Sequence, residues 1–212
     1  MKYLSVIMLL LGASESLAVE VQQGQIYSAG TYIESAQTGI GLTIPQGWKG
    51  AWPQGSEMFV LESASLKANI FMTFEQGNEA GLRTLMSNPI PLDARTQLVP
   101  ASTPKRTGNI YTANYSVAGA PRLTGFMAAQ ILPPSRGVAF IALSADAATM
   151  QQVKQVALQL ANGLTVKQPV TGQSASRSGG KSEFYQSGDA SAISDGNCTY
   201  FSSGAGSIST CD

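Results

Sequence analysis

Apolar and polar positions alternate along much of the chain, and the rhythm changes several times. In "GIGLTIPQGW" Ile40, Leu42 and Ile44 fall on one face and Pro45 ends the run, which predicts a half-buried strand closed by a turn. "EMFVLES" and "NIFMTFE" follow as nearly continuous apolar runs, the pattern of central strands covered on both faces. Asn78 can then cap "EAGLRTLMSN", where Leu82, Leu85 and Met86 share a face, Gly81 weakens the helix and Pro89 stops it.

A Pro-rich stretch, read as an irregular connection, leads to three further strand patterns. "NIYTANYSV" places Tyr111, Ala113, Tyr115 and Val117 on one face, and "TGFMAAQIL" and "GVAFIALS" come after it. The separators "AGAPR" and "PPSRG" carry the turn residues of hairpin loops, so the three are expected to run as an antiparallel meander. The segment from Asp146 to Asn162 has helical period, with Met150, Val153, Val156, Ala157 and Leu160 on one stripe. Asp146 is placed to cap its first turn, and Gly163 stands where a left-handed C-cap is expected.

Both ends of the chain change character. "MKYLSVIMLLLGASESLA" has an early lysine, an apolar run from Leu4 to Leu11 and small residues at Ser16 and Ala18, the pattern of a cleaved secretory signal over residues 1–18. Its apolar run is about half of the roughly 20 residues needed to cross a bilayer, so no membrane span is expected once it is removed. Residues 19–169 then form an α+β domain. Residues 170–195, rich in Ser, Gly and Gln, hold too few apolar side chains to offset their ordering entropy and read as a flexible linker. Residues 196–212 carry both cysteines of the chain. A two-residue turn at Gly204-Ala205 would pair Cys198 with Cys211 at the open end of a β-hairpin, a register compatible with a disulfide. Closing about 14 residues would contribute roughly 3 kcal/mol, and export would supply the oxidising compartment.

Composition narrows the chemistry. The 13 basic and 13 acidic residues balance, and no like-charge block exceeds two, so no basic stripe awaits nucleic acid or an acidic membrane surface. Charged residues make up 12% of the chain, against about 25% in an ordinary domain. There is no histidine, which excludes Ser-His-Asp and Cys-His mechanisms and removes the commonest ligand of catalytic zinc. Carboxylate pairs and Ser-Lys dyads survive as catalytic options, no catalytic residue stands out, and no metal or cofactor is implied.

Motif-like stretches carry less than their spelling. "ASRSGGKS" satisfies a relaxed phosphate-loop pattern without the flanking strand and helix that the chemistry needs. "DASAISDG" lacks the alternating oxygen ligands of a calcium loop. Sequons at Asn114 and Asn197 matter only in a host that glycosylates. For recognition, "GWKGAWPQG" offers Trp48, expected to pack under the sheet edge, and Trp52, expected to be more exposed. Tyr200, Phe201 and Ile208 would be the contact residues of the tail hairpin.

The order of elements, opening with "GIGLTIPQGW" and closing with "GVAFIALSADAATMQQVKQVALQLANGL", resembles the PsbP-like fold over Gln25 to Val166. The resemblance implies an α/β/α sandwich around an antiparallel sheet and a protein that docks to partners instead of catalysing a reaction. It supplies no functional residues. Three functions follow as expectations: a secreted or periplasmic binding protein for an unknown protein or small ligand, a carboxylate- or Ser-Lys-dependent hydrolase, and an envelope structural protein docking through its hairpin. The first predicts an aromatic-lined groove without convergent charges, the second converging acids in a pocket, and the third a flat apolar patch at the tail.

Overall fold

The computed structural model describes residues 18–92 and 95–167, and the backbone of two further strands, 198–203 and 206–211. The expected signal peptide, residues 1–18, lies outside the described residues except for Ala18, and the expected linker over 170–195 lies wholly outside them. In chain order the strands are β1 (Val19–Glu20), β2 (Ile26–Tyr27), β3 (Tyr32–Ser35), β4 (Ile40–Thr43), β5 (Lys49–Ala51), β6 (Phe59–Ser63) and β7 (Ala68–Gln76). Helix α1 (Glu79–Ser87) precedes β8 (Ile90–Pro91), β9 (Gln97–Pro100), β10 (Lys105–Thr107), β11 (Ile110–Ala118), β12 (Thr124–Leu132) and β13 (Arg136–Ser144). Helix α2 (Ala147–Asn162) and β14 (Thr165–Val166) close the body, and β15 (Cys198–Ser203) and β16 (Gly206–Cys211) form the tail.

One ten-stranded sheet organises the body, in the order β2-β5-β6-β7-β13-β12-β11-β9-β8, with β10 also paired to β11. All of its ladders are antiparallel. The expected meander of β11, β12 and β13 is present, and β6 and β7 are interior strands, which is why their sequences are apolar on both faces. The stretch read as an irregular connection holds β8, β9 and β10, strands of two to four residues. Runs that short are set by their neighbours in the sheet, and they leave no period in the sequence.

Each face of the sheet has its own core. On one, α2 lays Met150, Val153, Ala157 and Leu160 over Phe126, Ala128, Val138 and Phe140, each large side chain contributing about 1.5–3 kcal/mol by leaving water. On the other, Leu82 and Met86 of α1 cover Tyr115, Met127 and Ile141. A second, four-stranded sheet, β1-β3-β4-β14, adds Ile33, Ile40 and Leu42 to the α2 side. The first strand pattern in the sequence, around Ile40, therefore belongs to this smaller sheet and not to the main one. The result is an α+β fold of sheet and two helices with apolar layers on both faces of the main sheet.

The helix caps follow the sequence at three of four ends. Asn78 Oδ1 accepts from the Gly81 amide at 2.9 Å, and Asp146 Oδ2 from the Thr149 amide at 2.6 Å, a bond that lowers the Asp146 carboxyl below its ordinary range. Asn88 ends α1 in extended backbone ahead of Pro89. At Gly163 the expectation of a left-handed cap fails: its φ is −88° and its amide donates to Gln159 O and Leu160 O. The chain turns here without reversing hand because Thr165 and Val166 pair at once with Gly41 and Ile40. Left-handed backbone is needed instead at Gly39, with φ +65°, where the Lys167 amide donates to Gly39 O at 2.7 Å and a Cβ would collide with the Lys167 carbonyl.

In the tail, β15 and β16 pair antiparallel with Cys198 opposite Cys211 and Phe201 opposite Ile208. The side chains of this ribbon, with the expected disulfide and the contacts of Tyr200, Phe201 and Ile208, lie outside the described residues.

Tyr115 gives the core a readable probe. Its hydroxyl donates to Met86 O at 3.0 Å, tying the sheet to the end of α1, and burial pushes its pKa well above the ordinary phenol value. A pKa raised in the folded state contributes stability in full below about pH 10, the free phenol value, and loses it as pH climbs toward the folded value. In an alkaline titration followed by phenolate absorbance and circular dichroism, Tyr115 ionises only together with loss of the fold. Tyr115→Phe removes one phenolate from that cooperative step and costs about 1 kcal/mol in urea denaturation at pH 7.

Candidate functional site

Helix α2 packs on β13, β12 and β7, and the smaller sheet joins the same face of the main sheet. Among the described residues, no further element covers the β10–β11 end of that face. Strand β11 explains the asymmetry through its alternation. Tyr111, Ala113, Tyr115 and Val117 are buried under the α1 side, whereas on the α2 side only Ile110 is buried, Thr112 is half-buried, and Asn114 and Ser116 are exposed.

A groove of about 590 Å³ lies where this open end meets α2. Its floor is Thr107, Ile110 and Thr112, and its wall is Gln155, Leu158, Gln159 and Asn162 of α2. Thr107 faces Ile110 across the β10–β11 hairpin, which puts both on one side of the sheet. The wall residues follow helical spacing, so that 155, 158, 159 and 162 share a face. Asn162 Nδ2 donates back to Leu158 O at 2.9 Å. Beside the groove, Lys154 Nζ donates to Asn114 Oδ1 at 2.7 Å and sits 5.3 Å from the centroid of the Phe126 ring.

The lining consists of hydroxyls, amides and two apolar side chains. Such groups donate and accept hydrogen bonds without titrating, which suits them to holding a polar, partly apolar ligand. The volume is within the range of small-ligand sites. This groove is not the aromatic-lined one expected from the sequence: none of its lining residues is aromatic.

The ion pairs of the described residues lie elsewhere. Glu79, in the first turn of α1, receives Arg106 at 3.1 Å and a short hydrogen bond from the Tyr111 hydroxyl, while the Arg106 guanidinium lies over the Tyr111 ring at 5.5 Å. The bond to Glu79 raises the Tyr111 pKa. On the smaller sheet Lys167 Nζ meets Glu34 Oε2 at 2.5 Å, and the Tyr32 hydroxyl lies 3.1 Å from the same oxygen and 2.6 Å from Thr165 Oγ1. The bond to Glu34 raises the Lys167 pKa. Partial burial, with Glu57 nearby, raises that of Glu75. Among the described residues no three acidic, cysteine or histidine side chains gather as a metal site would require, and no helix is long and apolar enough to cross a membrane.

The two tryptophans are placed far from the groove. Trp48 is 3% exposed and belongs to the core on the α2 side, with Tyr27 and Phe59. Trp52 is half-buried against the same core, and its indole nitrogen donates to Ser56 O at 2.7 Å. It follows β5, five strand positions from β11 in the main sheet, or about 24 Å at 4.8 Å per strand. The groove residues were missed in the sequence because reading α2 by its apolar stripe leaves Gln155, Gln159 and Asn162 as ordinary solvated positions. The available signal was the lack of any acidic residue in α2, which sets this helix apart from an ordinary surface helix.

No protein-family model matches the chain, and no curated protein matches it. Its fold weakly resembles the solution structure of cyanobacterial PsbP (CyanoP) from Synechocystis sp. PCC 6803, with a TM-score of 0.44 and 14% identity over 68% of this chain and 92% of that chain.

Trp52→Ala removes a half-buried ring and leaves the Ser56 carbonyl without its indole partner. The expected cost is about 2 kcal/mol, seen as a lowered melting temperature.

Proposed function

We propose that this chain is a non-catalytic binding or docking protein that acts outside the cytoplasm, and that the groove between α2 and the β10–β11 hairpin receives its ligand. The supporting observation is the lining of that groove: Thr107, Thr112, Gln155, Gln159 and Asn162 around an apolar strip, on a part of the sheet that no other element covers among the described residues. Acid–base catalysis needs a titratable group within hydrogen-bond reach of the reacting atoms, and this lining holds polar groups that bind without exchanging protons. The paired charges of the body, Arg106 with Glu79 and Lys167 with Glu34, are engaged with one another.

On this reading the leader directs export, the body is the scaffold, and the terminal ribbon is an accessory module whose base is locked by a Cys198–Cys211 disulfide. Tyr200, Phe201 and Ile208 are then its contact residues. An intact mass of the secreted, non-reduced protein is expected two hydrogens below that of the dithiol form.

The groove itself is tested by placing a photo-reactive benzophenone residue at position 159 of the full chain and irradiating it in the native envelope, with Gln159→Trp as a plug. The expected result is a discrete crosslinked product that is lost when soluble wild-type protein competes and retained when the Gln159→Trp protein is the competitor. Robust turnover in a hydrolase panel, abolished by a single carboxylate substitution, would overturn the reading.

A further inference from the structure

Charge is balanced over the whole chain and unbalanced across the fold. From Val19 to Asp93 there are seven acids and three bases, and from Arg95 to Lys167 seven bases and one acid, Asp146. The first stretch builds β2, β5, β6 and β7, one half of the main sheet. The second builds β9 to β13 together with α2, the half that contains the groove. Arg106 and Lys167 are neutralised by Glu79 and Glu34 from the acidic stretch.

Lys105 and Lys154 have no such counter-ion among the described residues, and both stand beside the groove. Lys105 is exposed and directly opposite Thr112 of the floor, so the two share a face of the sheet. Lys154 adjoins Gln155 of the wall, and its ammonium rests on a neutral amide oxygen, that of Asn114. Thr112 and Asn114 are two positions apart on β11, about 7 Å along the strand, so both cations bracket the same short stretch of sheet. Neither α2 nor any strand from β9 to β13 contains an acidic residue. Lys105 and Lys154 thus bring positive charge to the groove, which favours a negatively charged occupant.

We propose that the groove takes an extended acidic peptide segment of a partner protein, an inference that rests on the binding role above. The amides of Gln155, Gln159 and Asn162 each carry both a donor and an acceptor, the complement of a peptide backbone. Ile110 and Leu158 give an apolar strip for side-chain stems. Lys105 and Lys154 supply ammonium groups for carboxylates, and a charge-assisted bond to a carboxylate outbids the bond to Asn114. None of the lining residues is aromatic, so a sugar ring finds no stacking surface there.

The full chain is titrated by calorimetry and amide chemical shifts with a capped heptapeptide holding three glutamates in a Gly/Thr background, with its glutamine and lysine counterparts, and with trigalacturonate. The glutamate peptide is expected to shift Thr112, Gln155 and Gln159 and to bind about fivefold tighter than the glutamine peptide, the lysine peptide being weakest. The Lys105→Glu/Lys154→Glu double variant weakens the glutamate peptide about tenfold with an unchanged melting temperature, and raised salt weakens the wild type in the same direction. Equal affinity for the glutamate and glutamine peptides, indifferent to the double variant, overturns the acidic class while leaving the groove a binding site. Trigalacturonate binding with all peptides silent overturns the peptide assignment. If no probe perturbs the groove amides, the inference falls and the groove loses its role as well.

Discussion

The body depends on a central strand, β13, that is dry on both faces of its sheet. Val138, Phe140 and Ala142 of β13 face the core beneath α2, while Ala139, Ile141 and Leu143 face the core beneath α1, and all six are buried. With no water on either side, every amide and carbonyl of this strand needs a partner in the ladder, since an unpaired one costs as much as a lost hydrogen bond and more. Strand β13 finds those partners along its full length, in β12 from Arg136 to Ser144 and in β7 from Arg136 to Leu143. The register is thereby fixed, because a slip of one residue would exchange the contents of the two cores. The positions of α1 and α2 follow from it.

The charged contacts have a smaller part. Arg106 and Glu79 are each about half exposed, and ion pairs at such sites contribute little to stability. Their geometry still matters. Tyr111 and Arg106 face each other across the hairpin and both reach Glu79, so α1 is oriented against the same strands whose opposite face forms the groove. The smaller sheet has a comparable clasp in Lys167, Glu34 and Tyr32.

What the sequence made legible was what repeats. Nine residues of β11 alternate cleanly, and sixteen of α2 keep a helical stripe, so their type and buried face could be read directly. Strands such as β5 and β10, of three residues, contain less than two periods of anything, and only their neighbours make them strands. The Gly163 turn was misread because a glycine after a helix signals a left-handed residue only when nothing downstream dictates the exit. Here the pairing with β4 does. The groove escaped for a different reason: its floor and wall lie about fifty residues apart in the chain, and each half alone reads as a solvated surface. The two lysines beside it come together only when β10 and α2 are brought onto the same face of the sheet, since they stand far apart in the chain.

The return of the chain through β14 has a consequence for how the protein is made. Thr165 and Val166 complete a sheet begun by Val19 and Glu20, and Gly39 keeps a place open for the Lys167 backbone. Contacts that span so much of the chain form late and fold slowly, because the loop they close must be ordered first. Synthesis must therefore have delivered almost the whole body before this sheet can close.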